Sequence, residues 1–164
     1  HKHEGTIRGW ISATLSRTTR TFSGLNSGQA FPAGHDKTIN FHSGLSWHPG
    51  KKFHAGINFV YTTGNAFSLA TEEYDSALGI RLLKASGRNN YRLPDFHQLS
   101  LNAGYLIKGT KMTSRIDLNI YNVYNRLNAY YIYIYENPIY PFNRYLRKVS
   151  ILPFTPSLTF SVEF

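Results

Sequence analysis

The stretch Ile39-Asn40-Phe41-His42-Ser43-Gly44-Leu45-Ser46-Trp47 sets Ile39, Phe41, Leu45 and Trp47 on one side of an extended chain and Asn40, His42, Gly44 and Ser46 on the other. Alternation with period two marks a strand whose two faces meet different surroundings. His48-Pro49-Gly50-Lys51-Lys52 follows as a turn, centred on Pro-Gly. Beyond it Phe53, Ala55, Ile57, Phe59 and Tyr61 alternate with His54, Gly56 and Asn58. Pairing Trp47 with Phe53 brings Leu45 opposite Ala55 and Phe41 opposite Phe59, so the two apolar rows share one side of the hairpin.

The same pattern spreads in both directions. Ile7, Gly9, Ile11, Ala13 and Leu15 oppose Arg8, Trp10, Ser12 and Thr14. Leu99, Leu101, Ala103, Tyr105 and Ile107 oppose Gln98, Ser100, Asn102 and Gly104. After a Lys108-Gly109-Thr110-Lys111 turn, Met112, Ile116, Leu118 and Ile120 oppose Arg115, Asp117 and Asn119, and pairing Ile107 with Met112 again aligns the rows. Leu152, Phe154, Leu158, Phe160, Val162 and Phe164 alternate with Pro153, Thr155, Ser157, Thr159, Ser161 and Glu163. The patterning predicts an all-β protein of about six antiparallel strands, each of roughly ten residues, the length a tilted membrane-spanning strand requires.

Two further features give the strands a setting. The polar rows are Ser, Thr, Asn, Gln, Gly and His with few charges, which suits a hydrated lumen better than an open solvent face. Trp47, Phe53, Tyr105, Tyr124 and Phe164 sit near strand ends, as interfacial aromatic girdles do. Tight turns at Pro49-Gly50 and Gly109-Thr110 alternate with long linkers, Ser23 to Lys37, Asn65 to Arg92 and Leu127 to Lys148, the asymmetry of an outer-membrane barrel.

Composition excludes several classes. The chain has 164 residues and no Cys, so it carries no disulfide framework, thiolate metal site or thiol nucleophile. No run approaches the ~18 apolar residues of a spanning helix, and His1 to Gly9 is too polar for a secretory signal. Eighteen Lys+Arg against 9 Asp+Glu give a formal charge of +9, yet the cations are scattered, unlike the clustered footprint of a nucleic-acid binder. No nucleophile elbow, phosphate-binding glycine loop or zinc-protease motif occurs, which argues against an enzyme.

Six segments together resemble the C-terminal barrel strands of TonB-dependent outer-membrane receptors, especially those of Bacteroidetes-type bacteria. They are Gly9-Trp10-Ile11-Ser12-Ala13-Thr14-Leu15-Ser16-Arg17, Phe31-Pro32-Ala33-Gly34-His35-Asp36-Lys37 and Tyr61-Thr62-Thr63-Gly64-Asn65-Ala66. The others are Tyr91-Arg92-Leu93-Pro94-Asp95-Phe96-His97-Gln98-Leu99, Ile120-Tyr121-Asn122-Val123-Tyr124-Asn125-Arg126 and Pro156-Ser157-Leu158-Thr159-Phe160-Ser161-Val162-Glu163-Phe164. The resemblance implies a segment of a 22-stranded antiparallel transmembrane β-barrel in the bacterial outer membrane, closed in its family by a plug. Residues 1–164 then form the C-terminal part of that barrel, with no plug domain of their own. The partners it implies are outer-membrane lipid, the remainder of the barrel and the plug, the TonB–ExbB–ExbD complex acting through the absent plug, and the barrel assembly machinery. Leu158, Phe160, Val162 and Phe164 resemble the signal which that machinery reads, an edge strand captured by strand addition. The implied function is import of a scarce, bulky nutrient of the siderophore, haem, cobalamin or glycan class.

Sites are fewer. His42, His48 and His54 share the polar face but have no carboxylate at ligand spacing, and are read as lumenal hydrogen-bonding groups rather than a metal site; no cofactor is expected. Glu72, Glu73 and Asp75 make a small acidic patch in the longest linker, either solvated or a calcium ligand set. Arg81, Arg88, Tyr91, Arg92, Tyr133 and Tyr135 are the ligand-binding candidates, because aromatic faces stack on rings and Arg forks grip carboxylates. The run Tyr130 to Tyr135, with Tyr140, Phe142, Arg144 and Tyr145 beyond, is better read as Tyr/Ile alternation that continues two strands past the membrane than as a ligand vestibule. The alternatives in other classes are a soluble all-β module, lectin-like or binding single-stranded nucleic acid, and a porin or adhesin that does not use TonB.

Overall fold

A computed structural model describes residues 6–75, 77, 81–85, 87–137, 139 and 144–164, with the side chains of 71–75 and 81–83 outside the description. Strands β1 (Ile7–Leu15), β4 (Ile39–Trp47), β5 (Phe53–Thr62), β10 (Phe96–Lys108), β11 (Thr113–Tyr121) and β14 (Thr155–Glu163) form one six-stranded antiparallel sheet in the order β1-β4-β5-β10-β11-β14. The sheet is open, with β1 and β14 at its edges. No helix among the described residues is long and apolar enough to cross a membrane.

The remaining strands pair within the three long connections. β2 (Thr19–Arg20) pairs with β3 (Phe31–Pro32) between β1 and β4. β6 (Ala66–Phe67) pairs with β9 (Tyr91–Arg92), and β7 (Ala70–Asp75) with β8 (Arg81–Ala85), between β5 and β10. β12 (Ala129–Glu136) pairs with β13 (Arg144–Ser150) between β11 and β14. All three connections leave the same end of the sheet, and the turns after β4 and β10 close the other. The first two linkers, predicted as loops, thus carry paired strands, while the third carries strands where the Tyr/Ile alternation suggested them.

Both predicted hairpin registers are off by two residues. Trp47 pairs with Ala55 rather than Phe53, and Leu45 with Ile57 rather than Ala55. Pro49 restricts His48 to extended backbone, and the Lys52 carbonyl accepts from Leu106 N–H of β10 at 2.7 Å, so Phe53 and His54 pair with β10 alone. Ile107 pairs with Ser114 rather than Met112, because the turn closes one residue later, with Gly109 N–H donating to the Met112 carbonyl at 2.8 Å. A shift of two keeps every side chain on its face. The expected neighbours survive as diagonal ones: the Trp47 and Phe53 rings lie 5.8 Å apart edge-on, and those of Phe41 and Phe59 6.2 Å apart.

Strand β14 starts at Thr155, not Leu152, since Leu152 has φ 55° and Pro153 follows it. Pro156 is tolerated within β14 because that strand is an edge.

The strands are staggered. One row runs Ile7, Trp47, Ala55, Ala103, Leu118, Leu158 through successive pairings. It starts at the first residue of β1 and leaves β14 five residues before its last, 163 − 158.

Candidate functional site

The apolar row of each strand lies on one face of the sheet, and nothing among the described residues covers it. Ile11 is 75% exposed, Leu15 80%, Leu158 72% and Phe160 62%. Leu45, Trp47, Ile57, Ile116 and Leu118 are also exposed. The buried apolar residues, Phe31, Ala33, Ala66 and Leu69, all belong to the connections rather than to the sheet. A continuous apolar face of this kind is an interaction surface, since water-facing sheets carry polar rows there.

The opposite face is polar and notched by glycines over which neighbouring side chains reach. The Trp10 indole crosses Gly44 on the next strand, and the Asn102 amide crosses Gly56, where an added Cβ would stand 2.7 Å from Asn102 Oδ1. His54 on β5 and Asp117 on β11 meet across Gly104 of the intervening β10, with His54 Nε2 3.3 Å from Asp117 Oδ1. Arg115 Nε lies 3.5 Å from Asp117 Oδ2, and His48 stacks on His54 with ring centroids 6.0 Å apart. The expectation that no carboxylate stands near these histidines is thus corrected. His54 and Asp117 are far apart in sequence, and only the sheet order brings them either side of a residue with no side chain. Among the described residues no three His, Asp or Glu side chains form a metal-binding group.

At the loop end the connections are stapled to the sheet by buried polar groups. Asp36, 2% exposed, accepts from Thr18 N–H at 2.6 Å and forms an ion pair with Arg92. The same guanidinium donates to the carbonyls of Asp36 at 3.0 Å and Gly64 at 3.1 Å. These bonds hold the Asp36 carboxyl below the usual carboxylate range, the Arg92 hydrogen bond most of all, against the upward push of burial. Asp95 accepts from Tyr61 Oη at 2.6 Å and from Gly64 N–H at 3.2 Å. Asn122, fully buried with φ 55°, accepts from Arg126 N–H at 3.0 Å and donates to the carbonyls of Arg126 at 2.9 Å and Leu152 at 3.2 Å. It ties both ends of the β11–β14 connection together. Asn is suited to that left-handed position, where its amide still reaches the backbone.

The described side chains among the predicted ligand-binding residues make separate contacts. Arg92 is committed to Asp36, and Tyr91 packs against Phe67 with centroids 6.2 Å apart. Arg88 is exposed, its N–H donating to Asn26 Oδ1 at 3.3 Å. Tyr133 lies on β12 beside Tyr131, centroids 5.7 Å apart, and Tyr135 lies under the Arg147 guanidinium at 3.8 Å, a cation–π contact. The side chains of Arg81, Glu72, Glu73 and Asp75, and Tyr140 and Phe142 altogether, lie outside the described residues. Tyr130 to Tyr135 belong to a separate two-stranded sheet rather than to the six-stranded one. Of the four residues in the C-terminal row, Leu158, Phe160 and Phe164 are exposed and Val162 is half-buried.

Asp36, Asp95, Asn122 and Asp117 escaped the sequence analysis as interacting groups. The one available signal was that the first three fall within the quoted family-like segments. No protein-family model matches the chain, and no curated protein or solved structure matches it either.

Proposed function

We propose that the chain is a wall segment of an outer-membrane barrel, part of a TonB-dependent receptor that imports a bulky nutrient. The observation that carries this reading is the uncovered apolar face, which a bilayer would cover as no described part of the chain does. The polar face, with its hydroxyls, amides and glycine notches, would line a wet interior. The separation of tight turns from long hairpins supports the same setting. Two open edges require further strands, which this reading assigns to other polypeptide, together with the plug through which TonB–ExbB–ExbD would act. Leu158, Phe160, Val162 and Phe164 would serve as the strand read by the assembly machinery.

The test is topological and uses the full-length protein in vesicles. Single cysteines at Leu45, Leu118 and Leu158 should resist a water-soluble maleimide, and a lipid-soluble quencher should reach fluorophores placed there. Cysteines at Asn58, Asn102 and Ser157 should behave the opposite way. A protein that stays in the aqueous phase, with Leu45 and Leu118 protected by protein rather than lipid, would instead be the soluble all-β module.

A further inference from the structure

At the turn end of the sheet the apolar face changes character before the chain reverses. Its outermost members there are Trp47, closing β4, Phe53, opening β5, and Tyr105 and Ile107 near the end of β10. Trp47, Tyr105 and Ile107 are exposed. The Trp47 and Phe53 rings stand edge-on at 5.8 Å, and Tyr105 pairs with Phe53 across the β5–β10 ladder. Trp and Tyr combine a large apolar body with one polar tip, so such a row fits the zone where hydrocarbon gives way to water.

Directly beyond that row the charge is of one sign. The two tight turns read His48-Pro49-Gly50-Lys51-Lys52 and Lys108-Gly109-Thr110-Lys111-Met112, with four lysines and no Asp or Glu. All four lysines are exposed. The turns are neighbours, because β5 pairs with β10 and Leu106 N–H donates to the Lys52 carbonyl at 2.7 Å. Arg8 on β1 and Arg115 on β11 stand within three residues of the same end. Two side-chain carboxylates stand against these six cations: Asp117, which already faces His54 and Arg115, and Glu163, opposite Thr113. Like charges held in adjacent turns repel, and an anion from outside the chain relieves them. Lysine can lay its apolar stem along the aromatic row and carry its ammonium past it. Apolar, then aromatic, then cationic is the order of hydrocarbon, interface and phosphate across one leaflet of a bilayer. An acidic protein would answer the charge but not the aromatic row beside it.

We propose that the turn end of the sheet holds anionic phospholipid, with its phosphate headgroups against Lys51, Lys52, Lys108 and Lys111 and its acyl chains against Trp47, Tyr105 and Ile107. This deepens the receptor reading by naming the lipid class at one leaflet, and rests on that reading for the bilayer itself.

The experiment places a fluorophore on Ile107→Cys of the full-length protein, in phosphatidylcholine vesicles containing an equal fraction of either phosphatidylglycerol or phosphatidylcholine brominated on its acyl chains. Bromine quenches on contact, so the ratio of the two quenching constants reads which lipid lies against the turn end. Phosphatidylglycerol should be preferred about threefold at low salt, falling toward parity in about 0.5 M sodium chloride. Lys51→Gln, Lys52→Gln, Lys108→Gln and Lys111→Gln together should abolish the preference, and Arg at the same four positions should keep it. A fluorophore on Leu15→Cys, at the other end of the apolar face, should give the same ratio with and without the Gln changes. Circular dichroism checks that each variant is folded. Equal quenching by the two lipids at Ile107, a preference that survives the Gln changes, or one that is lost with Arg would overturn the headgroup site. If both lipids still quench a fluorophore on Leu118→Cys, that failure sinks the headgroup site alone, whereas quenching by neither lipid at either position sinks the receptor reading with it.

Discussion

Gly104 and Asp36 show how far single positions depend on partners distant in the chain. A methyl group at Gly104 would run into both Asp117 and His54, and neither can withdraw without giving up the other. Gly104→Ala should therefore cost about 1–3 kcal/mol, read as a lowered midpoint of thermal unfolding. Gly50→Ala, where nothing lies within reach of a Cβ, is the control. Asp36 makes a pH prediction. Its carboxyl pKa is lowered in the folded protein, so the stability it contributes is fully present above the unfolded carboxylate value of ~3.9 and is lost as pH falls through the lowered folded value. Asp36→Asn should destabilise the loop end by about 1–3 kcal/mol at neutral pH, toward the lower figure because Arg92 is partly exposed. It should also flatten the acid limb of a stability–pH curve. An acid limb identical to that of the wild type would remove Asp36 from the account.

Among elements, β11 offers the sharpest comparison, since Leu118 and Asn119 are adjacent, both exposed, and on opposite faces. On the lipid-facing assignment Leu118→Arg costs about 2–4 kcal/mol near mid-membrane, while Asn119→Arg, facing water, costs under about 1. Equal unfolding free energies for the two variants in a bilayer would contradict that assignment. The pattern behind this comparison was plain in the residues, because alternation over nine or ten positions survives any even error in register. The registers themselves were not, since they turned on which carbonyl claimed which N–H at the turns, as Lys52 with Leu106 and Gly109 with Met112 show. Nor were the pairings within the first two long connections, where strands as short as Thr19–Arg20 and Phe31–Pro32 carry too few alternations to register as a period, unlike the Tyr/Ile run of β12.

For the molecule as a whole, an open, staggered sheet without a core of its own is an incomplete hydrophobic object. The apolar face and two unpaired edges must be satisfied by something else, and a bilayer with further strands satisfies both at once. If β14 is the element that initiates this assembly, making its row polar with Leu158→Ser and Phe160→Ser should remove most of the protein from the outer-membrane fraction. The matched change on the other face, Ser157→Ala with Thr159→Ala, should leave its yield unchanged. Immunoblotting of fractionated membranes reads the difference, and equal loss from both pairs would deny the row its role.

The six strands of the main sheet, their division into an apolar and a polar face, and the contrast of short turns with long connections could all be read from residue order, because each follows from local periodicity and turn chemistry. The meeting of His54 with Asp117 across Gly104 and the burial of Asp36 against Arg92 could not. Those depend on which strands become neighbours and on the room a missing side chain leaves, and neither quantity is carried by any single stretch of the chain.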